Sequence, residues 1–140
     1  MMRLSQAAAM AGGQLQGADA VIDSVSTDTR TLQPGALFVA LRGPNFDAHD
    51  FVAAARERGA VAAMVSRTAA NDLPVIRVED TRLALGRLAA AWRARHSIPV
   101  VAVTGSNGKT TVKEMIAAIL ARRGAVLATQ GNLNNDIGVP

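Results

Sequence analysis

Two glycines, a lysine and three threonines fall within eight consecutive residues, Thr104-Gly105-Ser106-Asn107-Gly108-Lys109-Thr110-Thr111, with the types and spacing of a phosphate cradle. Glycine at 105 and 108 lets the backbone turn tightly and aim several N–H groups at one point. A helix opening at Lys109 adds the positive end of its dipole. The Lys109 ammonium then reaches the β- and γ-phosphates of a nucleotide such as ATP, and the Thr110 hydroxyl serves as a ligand for Mg²⁺. Thr104, Ser106, Asn107 and Thr111 complete the lining. The spacing departs from G-x-x-x-x-G-K-[ST]: five places before Gly108 stands Val103, so the match is to a shorter G-x-x-G-K-T-T form. A glycine turn followed by a chance Lys-Thr is the competing reading. Position argues against it, because the loop follows an apolar strand candidate and opens an amphipathic helix.

The elements that must hold this loop alternate strand and helix, which predicts an α/β fold. Ile98 to Val103 is almost wholly apolar, as in strands covered on both faces of a parallel sheet. After the loop, Val112, Met115, Ile116, Ile119 and Leu120 share one helical face, and Arg122-Arg123-Gly124 supplies cations and glycine for the helix end. Ala125 to Thr129 is a further strand candidate. Upstream, the pattern predicts a first helix capped by Ser5 and strands at Val21–Val25, Ala36–Leu41, Ala60–Val65 and Val75–Val78. It also predicts a helix over Asp47–Arg58 stopped by Gly59, and a long helix from the N-cap Asp80 to about His96. Leu85, Leu88, Ala89 and Trp92 form the apolar stripe of that last helix, with Trp92 read as core. The expected organisation is a small α/β domain over 1–80, a connecting helix over 81–97, and the start of a phosphate-loop parallel-sheet domain over 98–140. Two strands and one helix cannot cover a central sheet. The second unit is therefore expected to be incomplete, the chain to be a fragment, and order after about residue 97 to be marginal.

Composition narrows the classes. Hydrophobic residues at 49% and charged residues at 19% exclude a disordered chain, and aromatics at 3% require a core of Ala, Val, Leu and Ile. The net charge of +4 comes mostly from scattered arginine, with no basic run of the kind that binds nucleic acid. The absence of cysteine excludes disulfides and thiolate metal sites. Ser5 and Gln6 interrupt the apolar start of the chain, so no signal peptide is expected, and no run reaches membrane-spanning length. A soluble cytoplasmic protein, most simply a monomer, is expected.

The segment Val103–Thr111 closely resembles the ATP loop of the Mur ligases, a family that uses this shortened glycine spacing. Thr104–Leu120 and Gly131-Asn132-Leu133-Asn134-Asn135-Asp136-Ile137-Gly138-Val139-Pro140 are similar to the branch that adds the dipeptide D-alanyl-D-alanine. Ser26-Thr27-Asp28-Thr29-Arg30, Pro34–Leu41 and Phe46-Asp47-Ala48-His49-Asp50-Phe51 resemble the family's N-terminal domain and are shared with the diamino-acid-adding branch. The resemblance covers essentially the whole chain but only about a third of a family enzyme. It implies a three-domain ligase that binds a UDP-sugar substrate, ATP and an amine in successive domains. The implied substrates are UDP-N-acetylmuramoyl-tripeptide and D-alanyl-D-alanine. A substrate carboxylate attacks the γ-phosphate to give an acyl phosphate, and the amine then displaces phosphate. Other catalytic groups of the family are expected beyond Pro140, so the fragment alone is expected to make no amide.

Three further clusters have two readings each. Thr27, Asp28, Thr29 and Arg30 are either uridine and diphosphate contacts, with Arg30 forking onto phosphate, or a polar turn closed by its own side chains. Asn45, Asp47 and His49 precede a helix: Asp47 is the natural N-cap, and His49 is either a substrate contact or a partly exposed helix residue. Asn132, Asn134 and Asn135 support a turn, or contact substrate at the same sheet edge as the phosphate loop. The rivals to a dipeptide-adding ligase are the diamino-acid-adding Mur ligase, an unrelated phosphate-loop kinase, and a UDP-sugar-binding module without chemistry.

Overall fold

A computed structural model describes residues 1–68, 72–129 and 137, and the chain divides into two compact units, Met1–Arg95 and His96–Pro140. The first unit holds a five-stranded mixed sheet, a two-stranded ribbon and helices. Its strands are β1 (Met2–Arg3), β2 (Gln14–Gln16), β3 (Val21–Ile22), β4 (Ser24–Ser26), β5 (Ala36–Val39), β6 (Ala62–Val65) and β7 (Val75–Arg77). Its helices are α1 (Leu4–Ala11), α2 (Val52–Glu57) and α3 (Thr81–Ala94), with a 3₁₀ turn at Ala48–Phe51 leading into α2. The sheet order is β2-β7-β6-β5-β4, parallel except for β2, which runs antiparallel to β7 at one edge.

Every residue of β5 and β6 is buried, as their unbroken apolar runs require. Strand alternation divides them between two faces. One face gathers Ala36, Phe38, Ala40, Ala63 and Val65 with Val52 and Ala55 of α2 and with Leu32, Ala48 and Ala60. The opposite face carries Leu37, Val39, Met64 and Ile76, while α1 packs on α3 and buries Leu4, Ala7, Ala8 and Ala11. Phe38 is the largest of these fully buried side chains, and its removal from water contributes about 2–3 kcal/mol. Alanine on α1 and α2 permits the short helix-to-sheet spacing that an aromatic-poor core needs.

The segment expected as one strand, Val21–Val25, is split. β3 pairs with β1 in a separate two-stranded sheet, Met2 opposite Ile22, and β4 joins the main sheet with Ser24 opposite Ala36. Asp23, between them, donates its backbone N–H to Gly35 O at 2.9 Å. Ser5 is not the N-cap of α1, which begins at Leu4. Its N–H and hydroxyl instead donate to the Asp19 carboxylate at 2.9 Å each, so a distant residue supplies the anion at this helix start. Asp80 does cap α3, accepting from Arg82 and Leu83 N–H at 2.8 and 2.9 Å. The helix expected as a connector belongs to the first unit: Thr81 Oγ1 donates to Ala40 O at 2.9 Å, and Ala84, Leu85 and Leu88 are buried. Trp92 is half-buried rather than a core residue, with the Arg95 guanidinium 5.6 Å from its ring centroid.

In the second unit, α4 (Lys109–Ala121) forms as expected, but the two strands flanking it do not form among the described residues. Val100 and Val101 are 66% and 58% exposed, and on α4 Met115 and Ile119 are 59% and 65% exposed. An apolar run encodes a capacity for burial, whereas a strand also needs a regular ladder, and no strand forms at 98–103 or 125–129 among the described residues. A shallow groove of about 120 Å³ lies between these two segments and the underside of α4 at Ile116 and Ala117.

Gly59 tests the packing of the first unit. Its φ of +95° is left-handed, and a Cβ there would come within 3.0 Å of Pro34 Cα. Gly59→Ala is expected to lower unfolding stability by about 1–3 kcal/mol, from backbone strain plus the steric shift, read from the urea midpoint. An unchanged midpoint would show that the Pro34 turn yields freely.

Candidate functional site

In the phosphate-type loop the two glycines take the conformations their spacing anticipates. Gly105 has φ +149° and Gly108 has φ +75°, and no non-glycine residue of the described chain has positive φ. Gly108 is the N-cap of α4 and brings no side chain to it. The first helical bond runs from Val112 N–H to Gly108 O at 2.9 Å, which leaves the N–H groups of Lys109, Thr110 and Thr111 without an acceptor one turn earlier in the helix. Thr104, Ser106, Asn107, Thr110 and Thr111 are exposed, and Lys109 is half-buried. Its Nζ donates to Gly105 O at 2.6 Å, so the ammonium folds across the loop. The result is an accessible concavity of N–H donors beside one fixed cation, an arrangement that stabilises a multiply charged oxyanion.

The first unit has its own polar concentration, at the C-terminal edge of the parallel strands, where open α/β sheets place ligands. Just past β4, Asp28 closes a turn on itself. Its carboxylate accepts from Arg30 N–H at 2.9 Å, from Arg30 Nε at 3.0 and 3.1 Å, and from Arg30 Nη2 at 2.6 Å. Ser26 Oγ bonds Asp28 O at 3.0 Å. Arg30 thus forks onto its neighbour's carboxylate, and Thr27 and Thr29 sit on the same turn, exposed and half-buried respectively. The guanidinium holds the Asp28 carboxyl down at about 2.

Past β5, the chain makes a tight turn bridged at Arg42 and Asp47, with Gly43 N–H on Phe46 O at 2.9 Å and Asn45 exposed at its tip. Asp47 caps the following 3₁₀ turn, accepting His49 N–H at 3.0 Å. His49 is not partly exposed: its side chain is 1% accessible. Ser66 N–H, past the end of β6, donates to His49 Nε2 at 2.9 Å, so this nitrogen carries a lone pair and the proton sits on Nδ1. Nδ1–H then donates to Asp47 Oδ1 at 2.5 Å. Arg67 closes the group, Nε to Asp47 Oδ2 at 3.0 Å and Nη2 to Asp50 Oδ1 at 2.6 Å. The His49 backbone N–H, first, and then the His49 ring and Arg67 push the Asp47 carboxyl far below the ordinary carboxylate range. Ser66, Arg67 and Asp50 were missed as site residues by motif reading. For Ser66 and Arg67 the only sequence signal is position directly after a buried strand, whereas Asp50 lies within the Phe46–Phe51 segment. Asn132, Asn134 and Asn135 lie outside the described residues.

Comparison with known proteins gives this arrangement its class. Residues 21–93, over half of the chain, match the family described as Mur ligase family, catalytic domain, and residues 103–140 match the Mur ligase middle domain. The chain belongs to the Mur ligase family. It is 59% identical over 137 residues to the UDP-N-acetylmuramoyl-tripeptide–D-alanyl-D-alanine ligase of Escherichia coli K12, covering 98% of this chain and 30% of that protein. The UDP-N-acetylmuramoylalanyl-D-glutamyl-2,6-diaminopimelate–D-alanyl-D-alanyl ligase of Acinetobacter baumannii has the same fold, with a TM-score of 0.91 at 42% identity over 99% of this chain and 32% of that one. The MurF ligase of Thermotoga maritima, solved in complex with ADP, has a TM-score of 0.74 at 35% identity over 86% of this chain and 28% of that one. The chain thus spans about a third of the length of the relatives it matches.

The Asp28–Arg30 pair yields a pH test. The Asp28 carboxyl lies below its reference value of 3.8 when folded. Its pairing therefore favours the folded state above the unfolded pKa, and that contribution is lost as pH falls from about 3.8 toward about 2. A carboxyl-detected NMR titration of Arg30→Gln is expected to return Asp28 toward the ordinary range, because the largest cause of the shift is the Arg30 side chain. A midpoint that stays near 2 in the variant would contradict the pairing.

Proposed function

We propose that this chain supplies the ATP phosphate loop and the UDP-sugar end of the substrate site in a ligase joining D-alanyl-D-alanine to UDP-N-acetylmuramoyl-tripeptide. The observation that carries the reading is the loop: left-handed glycines at 105 and 108, uncapped N–H groups opening α4, and Lys109 folded across them. The 59% identity to the E. coli ligase, and the ADP complex of the T. maritima relative, support the choice of reaction and nucleotide. In this reading the first unit, residues 1–80 with the α3 helix packed on them, receives the UDP-muramyl peptide, and 98–140 begin the ATP-binding domain.

The roles follow from charge. Attack of a carboxylate on a γ-phosphate brings two anions together. Lys109 leaves Gly105 O for the β- and γ-phosphate oxygens, and the loop N–H groups of Gly105 to Thr111 accept the charge that develops there. Thr110 Oγ1, exposed at the start of α4, would hold Mg²⁺ together with phosphate oxygens and water. The residues fit such an ion only with those added ligands, since no group of three His, Cys, Asp or Glu side chains able to hold a metal ion occurs among the described residues. Mg²⁺ there would neutralise charge on the transferring phosphoryl group. At the first unit's edge, Thr27, Thr29 and Asn45 present hydroxyl and amide groups to uridine and ribose, with Asp28, Arg30, Asp47 and His49 shaping the surface. Asn132, Asn134 and Asn135 are proposed to face the same substrate. No described helix is long and apolar enough to cross a membrane, and the proposal places the reaction in the cytoplasm on a monomer.

In the full-length enzyme, Lys109→Ala is expected to cut ATP-dependent dipeptide ligation by about 10²–10³-fold while leaving uridine diphosphate binding intact. Product formation is followed by chromatography of the UDP-linked peptide. Unchanged turnover would sink the phosphate-loop assignment.

A further inference from the structure

At the sheet edge, three hydrogen bonds and the Ser66–Arg67 peptide bond close a circuit Asp47–His49–Ser66–Arg67 and back to Asp47. It joins two segments distant in sequence, the turn after β5 and the end of β6. His49 is its hub. Both ring nitrogens are engaged, one as donor to Asp47 and one as acceptor from Ser66, and Ser66 Oγ stands a further 3.2 Å from Nε2. With its side chain 1% accessible, His49 presents no atom to a ligand. Yet the turn it anchors ends in two groups that do face outward. Asn45 is exposed, and Phe46 is 57% exposed, its backbone carbonyl held by Gly43 N–H. The ring of Phe46 lies so close to Gly43 that a Cβ there would meet Phe46 Cε1 at 2.4 Å, so the ring rests on the turn where only glycine leaves it room. An exposed aromatic beside a carboxamide is the chemistry that recognises a nucleobase, by stacking and by paired hydrogen bonds.

We propose that His49 is a positioning residue: wedged between Asp47 and Ser66, it sets the Arg42–Asp47 turn against the end of β6 and so places Phe46 and Asn45 for the uridine end of the substrate. This rests on the reading that the edge receives a UDP-linked substrate. A residue acting through others leaves a signature that a contact residue does not. Removing it abolishes the effect of removing the groups it positions.

The test is a double-mutant cycle on the full-length enzyme, titrating uridine diphosphate calorimetrically, with ATP as the control ligand. Phe46→Ala and His49→Ala are each expected to weaken uridine diphosphate about tenfold, and the double variant to be no weaker than either alone. ATP affinity is expected to stay level throughout. His49→Gln is expected to keep most of the affinity, because its amide oxygen reaches the place of Nε2 and still accepts from Ser66 N–H. Multiplicative losses in the double variant, about a hundredfold, would overturn the positioning role. So would a folded His49→Gln protein as weak as His49→Ala. The unmodified enzyme gives a check that needs no variant: long-range ¹H–¹⁵N spectra should show His49 protonated at Nδ1 alone, and an Nε2-protonated ring would overturn the geometry. If Phe46→Ala and Asn45→Ala both leave uridine diphosphate binding unchanged while the ¹⁵N signature stands, it is the substrate reading of this edge that fails.

Discussion

Two adjacent strands without a single exposed residue, β5 and β6, impose most of what surrounds them. A strand buried on both faces must have helices above and below, so α1 and α3 cover one side and α2 the other. It must also have its ladder satisfied on both edges, which β4 and β7 do. With the flanks closed, the open end is the carboxyl edge, and there the chain concentrates its polar side chains. The His49 ring, the Asp28–Arg30 turn and the Thr81 hydroxyl on Ala40 O all terminate or bridge strand ends. They satisfy backbone groups that the sheet leaves over, and in doing so create a rigid, chemically varied rim.

The second unit shows the opposite condition. Its local instructions are executed: the glycines turn, Gly108 caps the helix and Lys109 folds over the loop. These depend on residues within a few places of one another. Among its described residues no strand forms at 98–103 or 125–129, and none reaches full burial. The shape of the phosphate-type loop is set by φ preference and helix geometry within a few residues.

Legibility followed the same division. The strands β5, β6 and β7, the caps at Asp47 and Asp80, the stop at Gly59 and the phosphate-type loop were readable because each rests on a short pattern. The break at Asp23 was not, because Val21–Val25 holds nothing that assigns its halves to different sheets. Strand β2, Gln14-Leu15-Gln16, is polar and exists through pairing with β7. Ser5 looked like a cap because serine commonly is one, and only the fold brings Asp19 to that helix start. The burial of His49 depends on Ser66, seventeen residues away, which no local pattern announces. Family resemblance drew attention to the Phe46–Phe51 segment, but a resemblance carries no information on which of its side chains the fold buries.

The split at Asp23 has a mechanical corollary. One uninterrupted stretch of chain, Val21 to Ser26, serves first the terminal ribbon and then the outermost parallel strand. The amino-terminal ribbon, which would otherwise be free to fray, is thereby tethered to the margin of the main sheet. The pairing of Met2 and Arg3 is linked through one short stretch of backbone to the turn carrying Asp28 and Arg30.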